Sequence, residues 1–388
     1  MPEFYEFFAG GGMARAGLGN EWTCVFANDF DDMKTAAYRA NWGGDHLLVE
    51  DVNLVVTSQL PGRADLAWAS FPCQDLSLAG NYEGIGHWAD REQTRSGTFW
   101  PFWKLMRRLG DEGRAPRLIV LENVYGALTS NGGKDFAAIA SAFSGANYRF
   151  GAMIIDAARF LPHSRPRLFV VGVHPEMTAP SGLISSEPTE AWHPKALVKA
   201  FEGLSAEAKK KWIWWNPPQP GKMTIRFADL IEERPTGVEW HTPMETAALI
   251  DMMNDRHRAK VESAKKSTRR IVGGVYKRTR TEKGVKACRA EVRFDDIAGC
   301  LRTPSGGSSR QSIVVVENGE VRSRLLSPRE AARLMGLPDA YKLPASYNDA
   351  YHLAGDGVAL PVVRHLAVNI LEPVLEHNKV AVIAEAAE

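Results

Sequence analysis

The stretch Phe7-Phe8-Ala9-Gly10-Gly11-Gly12-Met13-Ala14-Arg15-Ala16-Gly17-Leu18-Gly19, "FFAGGGMARAGLG", decides the fold. It reads as a strand end, a glycine-dense turn and the start of a helix. Glycines let a backbone approach a ligand closely, and N–H groups at a helix N-terminus favour negative charge. An acid, Asp29, follows 17 positions after Gly12 in "ANDFDD", at the end of the next β-like run. That spacing suits a carboxylate accepting hydrogen bonds from ribose hydroxyls. The dinucleotide fingerprint GxGxxG fails, because Arg15 stands where the third glycine belongs, and no phosphate-binding Lys-Ser/Thr pair is present. The turn suits a nucleoside cofactor without phosphates, such as S-adenosylmethionine, better than NAD or ATP. Phe30, beside Asp29, has two readings: a ring stacked on adenine, or a core side chain.

Outward from this turn, short β-like runs alternate with helical segments through the first 175 or so residues, which predicts a parallel-sheet α/β domain. The candidate strands are Phe4–Phe8, Cys24–Ala27, Leu66–Ser70, Leu118–Leu121, Gly151–Asp156 and Leu168–Val173. Asp31–Asn41 and Thr98–Leu109 read as helices between them. After His174 the sequence turns Pro-, Trp- and Arg-rich with weak periodicity, and helical character returns at Pro328–Met335 and Val362–Leu375. Residues 1–180 and 350–388 are expected to form one domain and residues 181–349 a smaller, irregular one that includes a hinge. The tryptophans of "KKKWIWWNPP" read as core of the smaller domain rather than as base-stacking rings.

The 388 residues are 45% hydrophobic and 24% charged, an ordinary globular composition. A formal net charge of +1 gives no global attraction to polyanions, so any such surface must come from local clustering. Cys24, Cys73, Cys288 and Cys300 have no CxxC pairing and no His-rich neighbours at zinc spacing, so neither a disulfide framework nor a metal is expected. The N-terminus lacks a signal-type segment and no run of about 18 apolar residues occurs, which leads to an expected cytoplasmic location without a membrane partner.

Three further segments carry chemistry. "ASFPCQDLSLAG" (Ala69–Gly80) places Cys73 behind a proline after an apolar run; such a cysteine is either a small buried hydrophobe or a nucleophile at a strand end. "LIVLENV" puts Glu122 at the end of an apolar strand, where a parallel sheet presents its functional groups. "HSRPRLFVVGV" (His163–Val173) sets Arg165 and Arg167 on one face just before another apolar strand. A thiol, a carboxylate and two guanidiniums are thus expected to converge on one sheet edge beside a nucleoside site.

In this order these segments resemble the DNA (cytosine-5) methyltransferase family: FAGGG, Asp29, Asp51 in "EDV", Pro72-Cys73-Gln74, "RSGTF" (Arg95–Phe99), Glu122-Asn123-Val124, Arg165-Pro166-Arg167, "LLSPREAARLMGLPDAY" (Leu325–Tyr341) and "AGDGVALPV" (Ala354–Val362). The resemblance covers nearly the whole chain and is weakest between about 180 and 295. It implies the Rossmann-like, doubly wound, mostly parallel sheet of S-adenosylmethionine-dependent methyltransferases with a smaller target-recognition domain. It implies S-adenosylmethionine as cofactor, no metal, and double-stranded DNA as substrate. A cognate restriction endonuclease acting separately and a monomeric state also accord with it.

Cytosine C5 is too poor a nucleophile to take a methyl group directly from a sulfonium, so the resemblance casts Cys73 as the thiolate that adds to C6. Arg165 would help deprotonate it. Glu122 would hydrogen-bond or protonate N3 and N4, held protonated part of the time by burial, and Arg167 would sit on O2. Gln74 and Asn123 would hold the backbone, and the segment Ser77–Arg95 would be a mobile loop closing over a flipped base. Implied cofactor contacts are Phe8, Gly10 and Gly12 under the methionine moiety, Asp29 on the ribose, and Phe30, Asp51 and Val52 around adenine. Pro72, Phe99, Asp356 and Val358 would complete the pocket. Departures from the family pattern are Met13 for glycine, His163 for Gln, Asp356 for Asn, and Cys300 for the Thr that usually precedes Leu.

From Arg256 to Arg293 the chain carries fourteen Lys/Arg against three acids, a local excess suited to phosphate contact. Arg269, Arg270, Lys277, Arg278 and Arg280 are the expected DNA-binding residues there, joined by Ser308, Ser309 and Arg310 of "LRTPSGGSSRQS" (Leu301–Ser312). Competing readings are a tRNA or other RNA cytosine-5 methyltransferase and a catalytically silent DNA-binding relative.

Overall fold

Apolar runs with both faces destined for burial become the strands of a parallel sheet. The computed structural model describes residues 1–72, 95–282, 285–301 and 310–385. Seven strands form its larger sheet: β1 (Glu3–Phe7), β2 (Thr23–Asp29), β3 (Leu47–Val49), β4 (Leu66–Ala69), β5 (Leu118–Val124), β6 (Arg149–Asp156) and β7 (Pro166–Val173). Their order is β3-β2-β1-β4-β5-β7-β6. Only β7 runs against its neighbours. Phe7 lies beside Ala69 and Ala69 beside Leu121, so β1, β4 and β5 run level toward one edge.

Helices α1 (Met13–Leu18), α2 (Asp32–Trp42), α3 (Phe99–Asp111) and α4 (Lys134–Gly145) follow β1, β2, β4 and β5 in the chain. On one side of the sheet Phe7, Phe99, Phe102, Trp103, Ile119, Phe143 and Phe150 belong to a single apolar cluster. The C-terminal stretch runs through helix and a π-helical segment, Ala367–Leu371, and buries Val363, Leu366, Ile370 and Leu371.

Two compact units result: Met1–Asp156 with Pro166–Gly221 and Val358–Glu388, and Ala157–Arg165 with Lys222–Gly357. The boundaries thus fall at 221/222 and 357/358 rather than at 181 and 349. The larger unit also holds β8 (Ile184–Ser185), α5 (Lys195–Glu202), α6 (Ala206–Lys210) and β9 (Trp214–Trp215). The tryptophan cluster is indeed core, but core of this unit. Trp215 is fully buried and its Nε1 donates to the Val171 carbonyl at 3.2 Å. Gly151 makes this crossing possible, because a Cβ there would stand 1.8 Å from the Ile213 carbonyl oxygen.

In the smaller unit, α7 (Pro243–Asp251) and α8 (Asp255–Lys265) contribute to a core with a second sheet. Its strands are β10 (Ile271–Glu282), β11 (Val285–Arg293), β12 (Ser312–Glu317) and β13 (Glu320–Leu325), antiparallel in the order β11-β10-β12-β13. The smaller unit ends with α9 (Pro328–Leu334) and α10 (Tyr347–Asp356); α11 (Leu360–Leu366) and α12 (Glu372–Glu385) belong to the larger one. The "LSPRE" segment acquires a structural reason here. Ser327 and Glu330 form a reciprocal cap on α9, and Arg324, fully buried, donates to both Glu330 oxygens at 2.7 and 2.6 Å.

Gly151→Ala is expected to destabilise the protein by about 3 kcal/mol, since the obstructing atom is backbone. Gly145→Ala, with nothing within 4 Å of the added methyl and a helical setting, should be neutral or stabilising. Urea denaturation of the two variants beside the wild type measures the contrast.

Candidate active site

In the larger unit the glycine turn is closed from one side and open on the other. Phe8 sits at φ 55°, a left-handed conformation that costs a bulky residue energy, and Gly10 and Gly12 follow at 55° and 76°. A Cβ on Gly12 would meet the Trp42 indole nitrogen at 2.3 Å, and that nitrogen donates to the Gly11 carbonyl at 2.9 Å. A Cβ on Gly10 would meet nothing within 4 Å. The turn is therefore packed below by Trp42 and leaves room above Gly10, as a backbone cradle for a nucleoside or amino-acid moiety requires.

Asp29 ties this turn to the end of β2. Its Oδ2 accepts from Gly10 N at 2.8 Å and its Oδ1 from Asp31 N at 3.0 Å. Each oxygen retains a lone pair, so the clamp is compatible with accepting a ribose hydroxyl. Phe30 is 68% exposed, which removes the core reading and leaves its ring available for stacking. Asp51 is exposed, with its Oδ1 accepting from Asn53 N at 2.9 Å, and Val52 is buried. Phe99 is fully buried, with its ring against Phe71 and Trp103. Val358 is likewise buried.

Beneath the turn lies a polar cluster that sequence reasoning missed. Glu6 is buried; its Oε1 accepts from Arg15 N at 3.1 Å, and its Oε2 has no hydrogen-bond partner. Burial pushes its carboxyl up to about 8, against the opposing pull of the Arg15 N–H and guanidinium. The Arg15 guanidinium lies 5.0 Å from the Trp42 ring, and its Nη1 donates to Tyr38 Oη at 3.1 Å. Burial pushes the Cys24 thiol up to about 12, which keeps it protonated and inert. Alternation along β1 was the only sign of Glu6, an acid flanked by buried aromatics.

At the other end of the same edge, Asn123 Nδ2 donates to the Phe71 carbonyl at 3.0 Å, anchoring the backbone just before Pro72. Arg167 pairs in register with Val124, and Glu122, two residues earlier on that face, is its diagonal neighbour. Arg167 Nε stands 3.3 Å from Glu122 Oε1, and both side chains are largely buried. Cys73, Gln74 and Ser77, with most of the expected loop Ser77–Arg95, lie outside the described residues, as do Ser308 and Ser309.

In the smaller unit Arg165 holds backbone carbonyls. It is buried, and its Nη2 donates to the carbonyls of Gly355 and Gly357 at 2.8 and 2.7 Å. Its guanidinium thus shapes the "GDG" turn, on which Asp356 is exposed; Cys73, the thiol it is expected to assist, lies outside the described residues. His163 explains its own departure from the family pattern. Its Nδ1 lies 2.9 Å from the Leu334 carbonyl and its Nε2 3.2 Å from Leu301 N. A carbonyl only accepts, so Nδ1 carries the proton and Nε2 accepts, a donor–acceptor pair that a glutamine amide also offers. Arg270 is paired with Glu233 at 3.4 Å, and Arg310 stacks over Tyr347 and bonds Asn348. Arg269, Lys277 and Arg278 are exposed, and the Arg280 side chain lies outside the described residues.

A glycine turn after β1, an acid ending β2 and an antiparallel β7 beside a parallel sheet give the Rossmann-like methyltransferase fold. Comparison with known proteins narrows it. The family described as C-5 cytosine-specific DNA methylase matches residues 3–372. The type II methyltransferase M.HpaII of Haemophilus parainfluenzae is 26% identical over 390 residues, covering 95% of this chain and 89% of its own length. M.HhaI of Haemophilus parahaemolyticus is 24% identical, with 95% and 93% covered. Among solved structures, the Entamoeba histolytica methyltransferase EhMeth superposes with a TM-score of 0.58 at 14% identity, covering 97% of this chain and 98% of that one. The S. pombe Dnmt2 methyltransferase does so with 0.53 at 16%, covering 94% and 97%. The chain belongs to the C-5 cytosine-specific DNA methylase family.

Two outcomes are expected. Between about pH 4.5 and pH 8 the folded chain retains a proton on Glu6 that the unfolded chain releases, so this group's contribution to stability falls as pH rises through that window and levels off above it. Glu6→Gln should therefore gain in melting temperature relative to wild type from pH 5 to pH 8.5; a constant difference would discount the effect. Asn123→Ala should lower kcat by tenfold or more through a misplaced Pro72-Cys73 backbone while leaving S-adenosylmethionine affinity, measured calorimetrically, nearly unchanged.

Proposed function

We propose that this enzyme methylates cytosine C5 in a short duplex DNA sequence, with Cys73 as the covalent nucleophile. The observation that carries the reading is the Asn123 bond to the Phe71 carbonyl, which anchors the backbone entering Pro72-Cys73 on the sheet edge that also bears the Glu122–Arg167 pair. The family's methyl donor, S-adenosylmethionine, fits the cradle: room above Gly10, the Asp29 clamp and the exposed Phe30 ring. When bound, it supplies an electrophilic methyl group.

The chain's own residues do the rest. Phe8, Gly10 and Gly12 would lie under the methionine moiety, Asp29 would meet the ribose, and Phe30, Asp51 and Val52 the adenine. Pro72 and Val358 would complete the enclosure with Phe99 behind, and Asp356 would face the ammonium. The Cys73 thiolate adds to C6 of an extruded cytosine, making C5 nucleophilic; later loss of the C5 proton and elimination of the thiol restore aromaticity. Glu122 bonds N3 and N4 while Arg167, oriented by its contact with Glu122, meets the charge developing at O2. Arg165, besides holding the Gly355 and Gly357 carbonyls, would assist the Cys73 thiolate, and His163 positions backbone. Gln74 and Ser77 would steady the residues around the nucleophile.

The basic segment and Arg310, with Ser308 and Ser309, would contact the DNA backbone. The type II naming of the relatives favours a cognate restriction endonuclease that acts separately; a cytoplasmic, monomeric methyltransferase is part of the same proposal.

Expression in cells without cytosine methylation, followed by bisulfite sequencing, should give 5-methylcytosine at one short DNA motif. Modified tRNA alone would favour RNA as substrate, and no modification would mark a silent relative. A duplex carrying 5-fluorocytosine at the target should trap the wild type covalently and Cys73→Ala not at all; an adduct in that variant would reassign the nucleophile.

A further inference from the structure

The turn after β1 carries Gly10, Gly11 and Gly12 in a row, and backbone without Cβ atoms has several shapes open to it. Hydrogen bonds select one of them. Gly10 N donates to Asp29 Oδ2 at 2.8 Å, Gly12 N to the Ala9 carbonyl at 2.8 Å, and Ala16 N to the Gly12 carbonyl at 2.9 Å. The Gly11 carbonyl is held from a different element, accepting from Trp42 Nε1 at 2.9 Å. Both polar atoms of the Gly11–Gly12 peptide are therefore tied, one within the turn and one by the last residue of α2. The indole also lies against Gly12, where a Cβ would stand 2.3 Å from its nitrogen.

The bland reading of Trp42 is packing. Its surroundings favour another. It is only half-buried, whereas Tyr38, one turn earlier on α2, is sealed. Its ring faces a cation, the Arg15 guanidinium of α1, at 5.0 Å, and a cation over an indole face is attracted by the ring's quadrupole. Arg15 is itself anchored, because its Nη1 donates to Tyr38 Oη at 3.1 Å and to His46 Nε2. A guanidinium only donates, so His46 accepts on Nε2 and carries its proton on Nδ1. A chain of contacts thus runs from His46 and Tyr38 through Arg15 to Trp42 and ends on the Gly11 carbonyl.

Resting on the reading of this turn as the S-adenosylmethionine cradle, we propose that Trp42, braced by Arg15, is a positioning residue for the amino-acid end of the methyl donor. Trp42 acts through backbone: it holds the Gly11–Gly12 peptide with its carbonyl directed to α2. Without that bond the glycine peptide rotates among orientations, and the cradle exists in only a fraction of the molecules. Apparent affinity for the donor falls by that fraction. The chemistry at Cys73, Glu122 and Arg167 is not part of this chain of contacts, so turnover with the donor saturating is preserved.

The test begins with Trp42→Phe, which keeps a ring and removes the N–H. Its Kd for S-adenosylmethionine by calorimetry, and its KM, should rise roughly fivefold, the worth of one net hydrogen bond. The kcat at saturating donor, the KM for duplex DNA and the melting temperature should stay near the wild-type values. S-adenosylhomocysteine, which keeps the amino acid, should lose affinity equally; adenosine, which lacks it, should compete equally well against both proteins. Arg15→Met should show the same split between KM and kcat. The double variant should be less impaired than the product of the two single effects, because both act on one peptide. Unchanged donor affinity in Trp42→Phe, an equal loss for adenosine, or a multiplicative double variant would overturn the proposal and leave the cradle reading intact. A parallel fall in kcat, both affinities and melting temperature would reduce Trp42 to packing. A wild type that binds no S-adenosylmethionine would sink the cradle and the proposal together.

Discussion

The level, parallel register of β1, β4 and β5 is the constraint on which the rest depends. With Phe7 beside Ala69 and Ala69 beside Leu121, the chain leaves these strands at one edge. A strand's last residues have neighbours on only some sides, so polar groups can stand there without being sealed in the core. The glycine turn, the approach to Pro72, and Glu122 with Asn123 come from different parts of the chain and reach that edge for this one reason. The antiparallel entry of β7 adds Arg167, because reversing the strand brings its first residues, not its last, to the same edge.

Much of the polar apparatus holds backbone. Asp29 spends an oxygen on Gly10, Asn123 reaches Phe71, Arg165 gathers two glycine carbonyls, and His163 bonds a carbonyl and an N–H. Buried polar groups must find partners, and loops are rich in unpaired backbone groups, so such residues and loops stabilise each other. Glu6 departs from this pattern, with one oxygen lacking a hydrogen-bond partner among the described residues and a carboxyl raised by burial. That cluster lies where the backbone is most distorted, at the left-handed Phe8, and strain concentrates where a function demands a particular shape.

The two units differ in how they treat charge. In the larger one, Glu122 and Arg167 are withdrawn from solvent and face each other. In the smaller, one ion pair, Arg324 with Glu330, is fully buried and bidentate, while Lys277, Arg278 and Lys286 on β10 and β11 are exposed. A buried pair fixes a local geometry at the cost of desolvation, whereas exposed charges keep their long-range field for a polyanion. A neutral chain can serve a charged substrate in this way.

The sequence by itself determined the class of fold and the candidates for the site. A short β-branched apolar run such as "LIVLENV" suits a doubly covered strand, and its alternation with helical segments behind a glycine turn points to a parallel α/β sheet. Several elements escaped it: β3 is three residues long, and β10 and β11 of the second sheet are mostly charged or small residues, so none of these carries a periodic signal. Tertiary structure alone decided which polar residues face a ligand and which hold backbone. Arg165 and Arg167 are two positions apart and chemically identical, yet one grips carbonyls and the other meets Glu122. Phe30 and Phe99 are both phenylalanines, yet one is exposed and the other sealed. A side chain's role follows from what the fold brings within a few ångströms of it, and that is set by residues distant in the chain.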